Sequence, residues 1–97
     1  MYKRQYRYSA AKTTSTEATK SFHSIIAPSV LWVDYALNTV VIKCYSGMAQ
    51  AVCAAIDTME FNGVVGTIAG DDTIFVLCRS EELAVEFLHN VRDMISK

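Results

Sequence analysis

The chain has 97 residues, of which 52% are hydrophobic and 20% charged, with a formal net charge of −1. This length provides for one domain with one packed core, and the apolar content excludes a wholly disordered chain. No stretch approaches the roughly 20 apolar residues that a membrane span needs, and the basic, polar start lacks the apolar centre of a secretory signal. We therefore expect a cytoplasmic protein without membrane contact.

Charge is unevenly divided along the chain. Residues 1–20 carry five basic side chains and one acidic one, whereas residues 21–97 carry four basic and nine acidic ones. Binding to nucleic acid needs clustered Lys and Arg, so the acidic part is a poor DNA binder by itself. The first residues are also rich in Ser, Thr and Ala without a sustained apolar period. We place a linker or tail at residues 1–22 and one domain at residues 23–97.

Two β-rich runs open this domain. Residues 25–35 are apolar and partly β-branched, and Thr39–Cys44 reads TVVIKC. Leu37 and Asn38 lie between the two runs as a turn, so the pattern predicts a β-hairpin.

A helix, a second hairpin and a final helix follow. Apolar residues recur at helical spacing over residues 47–59, with Ser46 and Gly47 as a possible cap. Strands are expected at residues 64–68 and at Thr73–Cys78, joined by the turn Gly70-Asp71-Asp72. Ser80 is a plausible N-cap for the last helix, whose apolar stripe reaches residue 95. The order β-β-α-β-β-α predicts an α+β fold, in which a four-stranded antiparallel sheet carries two helices on one face.

This architecture leaves one sheet face without cover. Residues 40–42 and 74–77 are apolar at consecutive positions, whereas a half-buried antiparallel strand alternates apolar with polar residues. In a chain this short, another copy of the same chain is the expected cover, so the pattern predicts a homo-oligomer.

The adjacent acids Asp71 and Asp72 are the most informative polar pair. They could be ordinary turn residues. Two carboxylates this close also repel each other, and a cation between them relieves the repulsion. The cation could be a metal ion, a basic side chain or a free cationic ligand.

The first helix offers a second polar group. Gln50 and Asp57 are seven residues apart and therefore share a helix face, with the small residues Cys53 and Ala54 between them. Such a face can hold the two ends of an extended polar molecule, although it could equally be an ordinary solvated face.

The cysteines and histidines do not indicate a metal site. Cys44, Cys53 and Cys78 lie in apolar runs without CxxC spacing and are expected to be buried thiols in a reducing compartment. His23 and His89 are isolated from each other and from the cysteines, so no metal ligand is expected.

Taken together, Gly47-Met48-Ala49-Gln50, Asp57 and the segment GTIAGDDTIF at residues 66–75 resemble the C-terminal domain of bacterial arginine repressors. The resemblance covers roughly residues 30–97. One departure is Ser46, where that family commonly has a proline.

The resemblance implies α+β domains that form trimers, two of which stack into a hexamer with L-arginine at the trimer–trimer interface. It implies no cofactor beyond L-arginine as co-repressor, with Asp71 and Asp72 taking its guanidinium and ammonium groups. Carried over by position, the ligand-binding residues would be Gln50, Asp57, Thr67, Ala69, Asp71 and Asp72.

The resemblance also implies a function in transcription regulation. The expected protein represses arginine synthesis genes, or activates arginine breakdown, through a winged-helix DNA-binding domain. Its recognition helix is absent here, so DNA contact is expected only through that missing domain. Two alternatives stay open: a metal-dependent enzyme using Asp57, Asp71 and Asp72, and an oligomerisation module without an effector. No catalytic residue is expected, because no phosphate-binding loop, paired histidine or evident nucleophile accompanies the acids.

Overall fold

From residue 30 onward, the strands and helices follow the predicted order β-β-α-β-β-α. The computed structural model describes residues 24–95, and residues 24–29 are helical ahead of the first strand. The elements are β1 (Val30–Ala36), β2 (Thr39–Cys44), α1 (Ala49–Met59), β3 (Val64–Ala69), β4 (Thr73–Cys78) and α2 (Glu81–Ile95). The tail proposed for residues 1–22 lies outside the described residues.

The sheet is antiparallel throughout, with the strand order β1-β2-β4-β3. Each hairpin pairs its own two strands, and the pairing of β2 with β4 joins the hairpins at the centre. Ile42 opposes Ile74 in that central pair, and Lys43 opposes Thr73. The predicted four-stranded antiparallel sheet is confirmed.

Both helices pack on the same face of the sheet. The side chains of Val40, Ile42, Ile74 and Val76 point to this face and are fully buried, because β2 and β4 are the central strands. The α2 helix covers β1, β2 and β4, while α1 covers β3 and β4. Phe87 of α2 is also buried, and its ring meets that of Phe61 edge to face at 4.8 Å.

The opposite face, called the open face below, has no helix over it within residues 24–95. Its side chains alternate with the buried ones, since successive strand residues point to opposite sides. An apolar patch lies there, formed by the exposed residues Val65, Ile68, Phe75 and Leu77. Ile68 is 70% exposed and Phe75 51%. The prediction that the helices leave one apolar face uncovered is confirmed.

The start of the domain differs from the predicted strand. Residues 24–29 are helical, and β1 begins only at Val30. Ile26 of the helical part is fully buried. A short apolar run does not distinguish a buried helical turn from a strand by periodicity alone, which is why the extended interpretation was wrong for these residues.

The start of α1 also differs. The helix begins at Ala49, and Met48 occupies the N-cap position without a side-chain capping bond. Gly47 adopts a φ of 81° in the preceding turn. The Ser46 hydroxyl donates to the Asp71 carboxylate instead of capping the helix, so the expected cap was wrong. At α2 the expectation is confirmed, because Ser80 Oγ accepts a hydrogen bond from the Leu83 amide at 3.2 Å.

We expect Gly63→Ala to destabilise the domain by about 1–3 kcal/mol. Gly63 has a φ of 85°, and an added Cβ would lie 2.7 Å from a Leu83 methyl carbon. Gly66→Ala is the matched control, since no atom lies within 4 Å of its Cβ position. Denaturant midpoints at one fixed protein concentration compare the variants. Equal midpoints for both would contradict the packing of Gly63 against Leu83.

Candidate functional site

The turn between β3 and β4 is anchored through its backbone to two other elements. The carbonyl of Asp72 accepts a hydrogen bond from the Cys44 amide at 2.7 Å, at the end of β2. The carbonyl of Asp71 accepts one from the Ala49 amide at 3.2 Å, at the start of α1. The turn itself is closed by the Gly70 amide, which donates to the Thr73 carbonyl. Both acids therefore have fixed backbone positions where β2, α1 and β4 meet.

The two carboxylates have different partners. Asp71 Oδ2 accepts a hydrogen bond from the Ser46 hydroxyl at 3.2 Å. Asp72 Oδ2 lies 3.0 Å from the Lys43 ammonium, and its Oδ1 accepts a hydrogen bond from the Thr73 hydroxyl. Lys43 and Thr73 alternate with the buried residues of their strands, so they lie on the open face. The Asp72 side chain is thus held toward the open face, whereas Asp71 is held toward the loop before α1.

A second polar group runs along α1 beside the edge strand β3. Gln50 Nε2 donates to the Ala69 carbonyl at 3.0 Å. About two turns further along the same helix face, the Thr67 hydroxyl donates a hydrogen bond to Asp57 Oδ1 at 2.7 Å. The Cys53 thiol, between Gln50 and Asp57 on that face, donates to Thr67 Oγ1 at 3.3 Å. These contacts line up the polar face of α1 with β3.

The candidate residues therefore form two adjacent groups within one subunit. One contains Gln50, Asp57, Thr67 and Ala69 on the helix side of β3, and the other is the acidic turn. The hydrogen bond from the Ala49 amide to the Asp71 carbonyl links the two groups, because Ala49 directly precedes Gln50. Gln50, Ala54 and Asp57 are exposed, so this polar face is open to a ligand.

The Lys43 ammonium dominates the electrostatics of the turn. Its hydrogen bond, followed by that of the Thr73 hydroxyl, holds the pKa of the Asp72 carboxyl below its ordinary value. Burial, with a smaller contribution from the Asp72 carboxylate, raises the pKa of the Cys44 thiol. Asp72 is consequently an anion at neutral pH, and Cys44 beneath it is a protonated thiol.

Cys44, Cys53 and Cys78 are free and buried, as the sequence predicted. Burial alone raises the pKa of the Cys78 thiol. Within residues 24–95, no three His, Cys, Asp or Glu side chains are grouped as a metal site requires. Over the same residues, no helix has the length and apolar character needed to cross a membrane.

Sequence reasoning missed three polar partners of the acids, namely Lys43, Ser46 and Thr73. A usable signal existed for Lys43, which is the charged residue in an otherwise apolar or hydroxyl-bearing strand TVVIKC. A lone charge in such a strand usually has a partner nearby. For Ser46 the sequence favours a helix cap, because Ser is common at that position, and nothing local distinguishes a cap from a partner of Asp71.

Fold and site together define a class of protein. It is an α+β domain in which an antiparallel sheet carries helices on one face, and an acidic turn lies beside a polar helix face.

Within that class, the chain belongs to the family of the arginine repressor C-terminal domain, whose profile it matches over residues 26–93. The family is one of transcriptional regulators and not of enzymes. The resemblance carried by the GTIAGDDTIF segment is confirmed.

Curated relatives are similar over nearly all of this chain. The arginine repressor of Ruminiclostridium cellulolyticum is 40% identical over 90 residues, which is 93% of this chain and 60% of that protein. The arginine repressor of Clostridium acetobutylicum is 40% identical over 98% of this chain and 63% of its own length. That of Acetivibrio thermocellus is 39% identical over 90% of this chain and 57% of its own length. The chain thus spans about three-fifths of the length of these relatives.

We expect Lys43→Gln to raise the pKa of Asp72 toward the ordinary aspartate value. The ammonium favours the ionised carboxylate, so its loss makes protonation easier and moves the titration midpoint to higher pH. In the parent chain, the stability from this pair is complete above the ordinary aspartate pKa and is lost as the pH falls through the lowered one.

Carboxyl carbon shifts followed by NMR through an acid titration measure this midpoint. Arg79→Gln is the control, because it removes the same charge from an exposed position beyond the far end of β4. An unchanged Asp72 midpoint in Lys43→Gln would contradict the ion pair.

Proposed function

We propose that this chain is the effector-sensing and oligomerisation domain of an arginine-dependent transcriptional regulator, with L-arginine as its co-repressor. The observation that carries the proposal is the pair of anchored acids, Asp71 and Asp72, beside the polar face of α1 in a chain of this family. The relatives named above are themselves called arginine repressors.

The chemistry of L-arginine fits the groups on this surface. Its guanidinium is planar and can form paired, charge-assisted hydrogen bonds with a carboxylate. Its ammonium suits the second acid, so Asp71 and Asp72 take the two cationic groups. Amide, hydroxyl and carbonyl groups for the remaining contacts come from Gln50, Thr67 and Ala69, with Asp57 at the far end.

Binding between subunits is supported by the way the side chains diverge. Asp72 is held toward the open face by Lys43, whereas Asp57 lies on the helix side of β3. A single ligand that contacts side chains on both sides of the sheet is best enclosed by more than one copy of the chain. The apolar patch on the open face supplies a surface for assembly into trimers, and two trimers then stack as a hexamer.

Regulation follows from mass action. A ligand that binds well only to the assembled form stabilises the hexamer, so assembly responds to the concentration of arginine. In the whole regulator, a hexamer presents several DNA-binding domains at once, and avidity raises the affinity for operators of arginine metabolism genes. DNA contact is assigned to a separate domain because residues 21–97 are acidic. The free cysteines fit a cytoplasmic location.

Isothermal titration calorimetry tests which ligand the chain binds. We expect L-arginine to bind, L-ornithine and L-citrulline to bind more weakly, and Mg²⁺ not to bind. Ornithine lacks the planar guanidinium, and citrulline replaces it with a neutral group. The absence of heat from millimolar arginine would refute the effector role, and tight Mg²⁺ binding would favour a metal-dependent enzyme instead.

We expect Asp72→Asn to lose at least tenfold in affinity for arginine, because one charge-assisted contact disappears. The variant should remain at least trimeric in sedimentation, since the apolar patch is unchanged. Glu86→Gln is the matched control, an acid-to-amide change on the exposed side of α2. Equal losses of arginine affinity in both variants would indicate a general effect of net charge and would contradict a ligand contact at Asp72.

Assembly has its own test at Ile68. We expect Ile68→Asp to shift the protein toward smaller species in sedimentation, because a carboxylate on the open face opposes apolar burial. Ile25→Asp makes the same change at an isoleucine outside the sheet and should not alter the species. Trp32, the one tryptophan, is 50% exposed on the open face. Its fluorescence emission should therefore change when another subunit covers that face. Unaltered sedimentation of Ile68→Asp would exclude this patch as an interface.

A further inference from the structure

Lys43 has a fixed place directly beside the acidic turn. Its backbone is paired with Thr73 in the β2–β4 ladder, so the side chain leaves the open face next to the turn. The ammonium lies 3.0 Å from Asp72 Oδ2 and 3.4 Å from Thr73 Oγ1. A lysine ammonium and a ligand ammonium or guanidinium are chemically alike as partners of a carboxylate.

The two acids are therefore unequal before any ligand arrives. Asp72 is compensated by a full positive charge, and its other oxygen accepts the Thr73 hydroxyl. Asp71 is compensated by the neutral Ser46 hydroxyl. Among residues 24–95 no cationic side chain pairs with Asp71, whereas a cationic ligand at Asp72 meets the Lys43 ammonium.

We propose that Lys43 is a tethered competitor of the effector: its ammonium occupies the Asp72 carboxylate in the ligand-free subunit. A cationic ligand reaches Asp72 only by displacing Lys43. This inference rests on the proposed function, since it assigns a regulatory residue to the arginine site. Lys43 raises the concentration of arginine at which the site fills.

The size of the effect follows from the exposure of the pair. The Lys43 and Asp72 side chains are 34% and 42% exposed, so solvent screens them. Exposed ion pairs of this kind correspond to roughly a two- to fivefold change in an equilibrium constant. Competition of this strength adjusts the threshold of a sensor without preventing binding.

The low pKa of Asp72 agrees with this geometry, because it reports a carboxylate already stabilised as an anion. Removal of Lys43 leaves two adjacent carboxylates with no tethered cation, and their mutual repulsion then favours an incoming cation more strongly. The consequence is unusual for a binding site, since loss of the contact between Lys43 and Asp72 should raise the affinity for the ligand.

Calorimetry with L-arginine on the 97-residue chain tests the competition. We expect Lys43→Gln to bind arginine about two- to fivefold more tightly than the parent at low salt. The gain should shrink at high salt, where exposed charges are screened. Lys43→Arg keeps the charge and should bind like the parent, as should Arg79→Gln, which removes a positive charge beyond the other end of β4.

A measurement on the parent chain makes the test independent of variant folding. The NMR signals of the Lys43 side chain should move on arginine addition, because the ammonium changes partner. Unchanged or weaker binding by Lys43→Gln, or Lys43 signals that do not respond to bound arginine, would overturn the competition alone. If the parent does not bind arginine, the proposed function fails and the competition fails with it. Equal tightening in Arg79→Gln would attribute the gain to net charge and also overturn it.

Discussion

The pairing of β2 with β4 is the constraint on which both the fold and the site depend. It joins the two hairpins into one sheet, and it places Val40, Ile42, Ile74 and Val76 on one face, where the helices bury them. The same register sets Lys43 opposite Thr73, next to the acidic turn. A slip by one residue would send the apolar set to the open face and separate the lysine from Asp72, so core and site specify the same pairing.

Most of the fold could be read from the sequence because its signals are local. Turn residues such as Gly63 and Gly70 separate runs whose apolar period is clear, and the absence of alternation in β2 and β4 predicted an uncovered face. The partners of the acids were not readable in this way. Lys43 and Asp72 are 29 positions apart, and their contact depends on the β2–β4 register, which no local pattern gives. For Ser46, a local rule favoured a cap where a long-range carboxylate was the actual partner.

The open face and the acidic turn are adjacent parts of one surface. Ile68 and Phe75 oppose each other across β3 and β4 on the open face, and β4 begins at Thr73, directly after Asp72. Any copy of the chain that covers the apolar patch therefore comes close to Asp72. This proximity gives a physical reason why ligand binding and assembly would be coupled: a cation bound at the turn offsets acidic charge at the margin of the same interface.

The turn is held by hydrogen bonds within one subunit. Its two carbonyls are held by the Cys44 and Ala49 amides, and its carboxylates by Lys43 and Ser46. A ligand that enters such a site exchanges one set of hydrogen bonds for another, and little chain entropy is lost in the exchange. If arginine binds as proposed above, the free energy that distinguishes the liganded state comes mainly from contacts between subunits. A preformed, internally compensated turn thus favours a sensor in which the ligand acts on association between subunits, with little effect on the folding of each one.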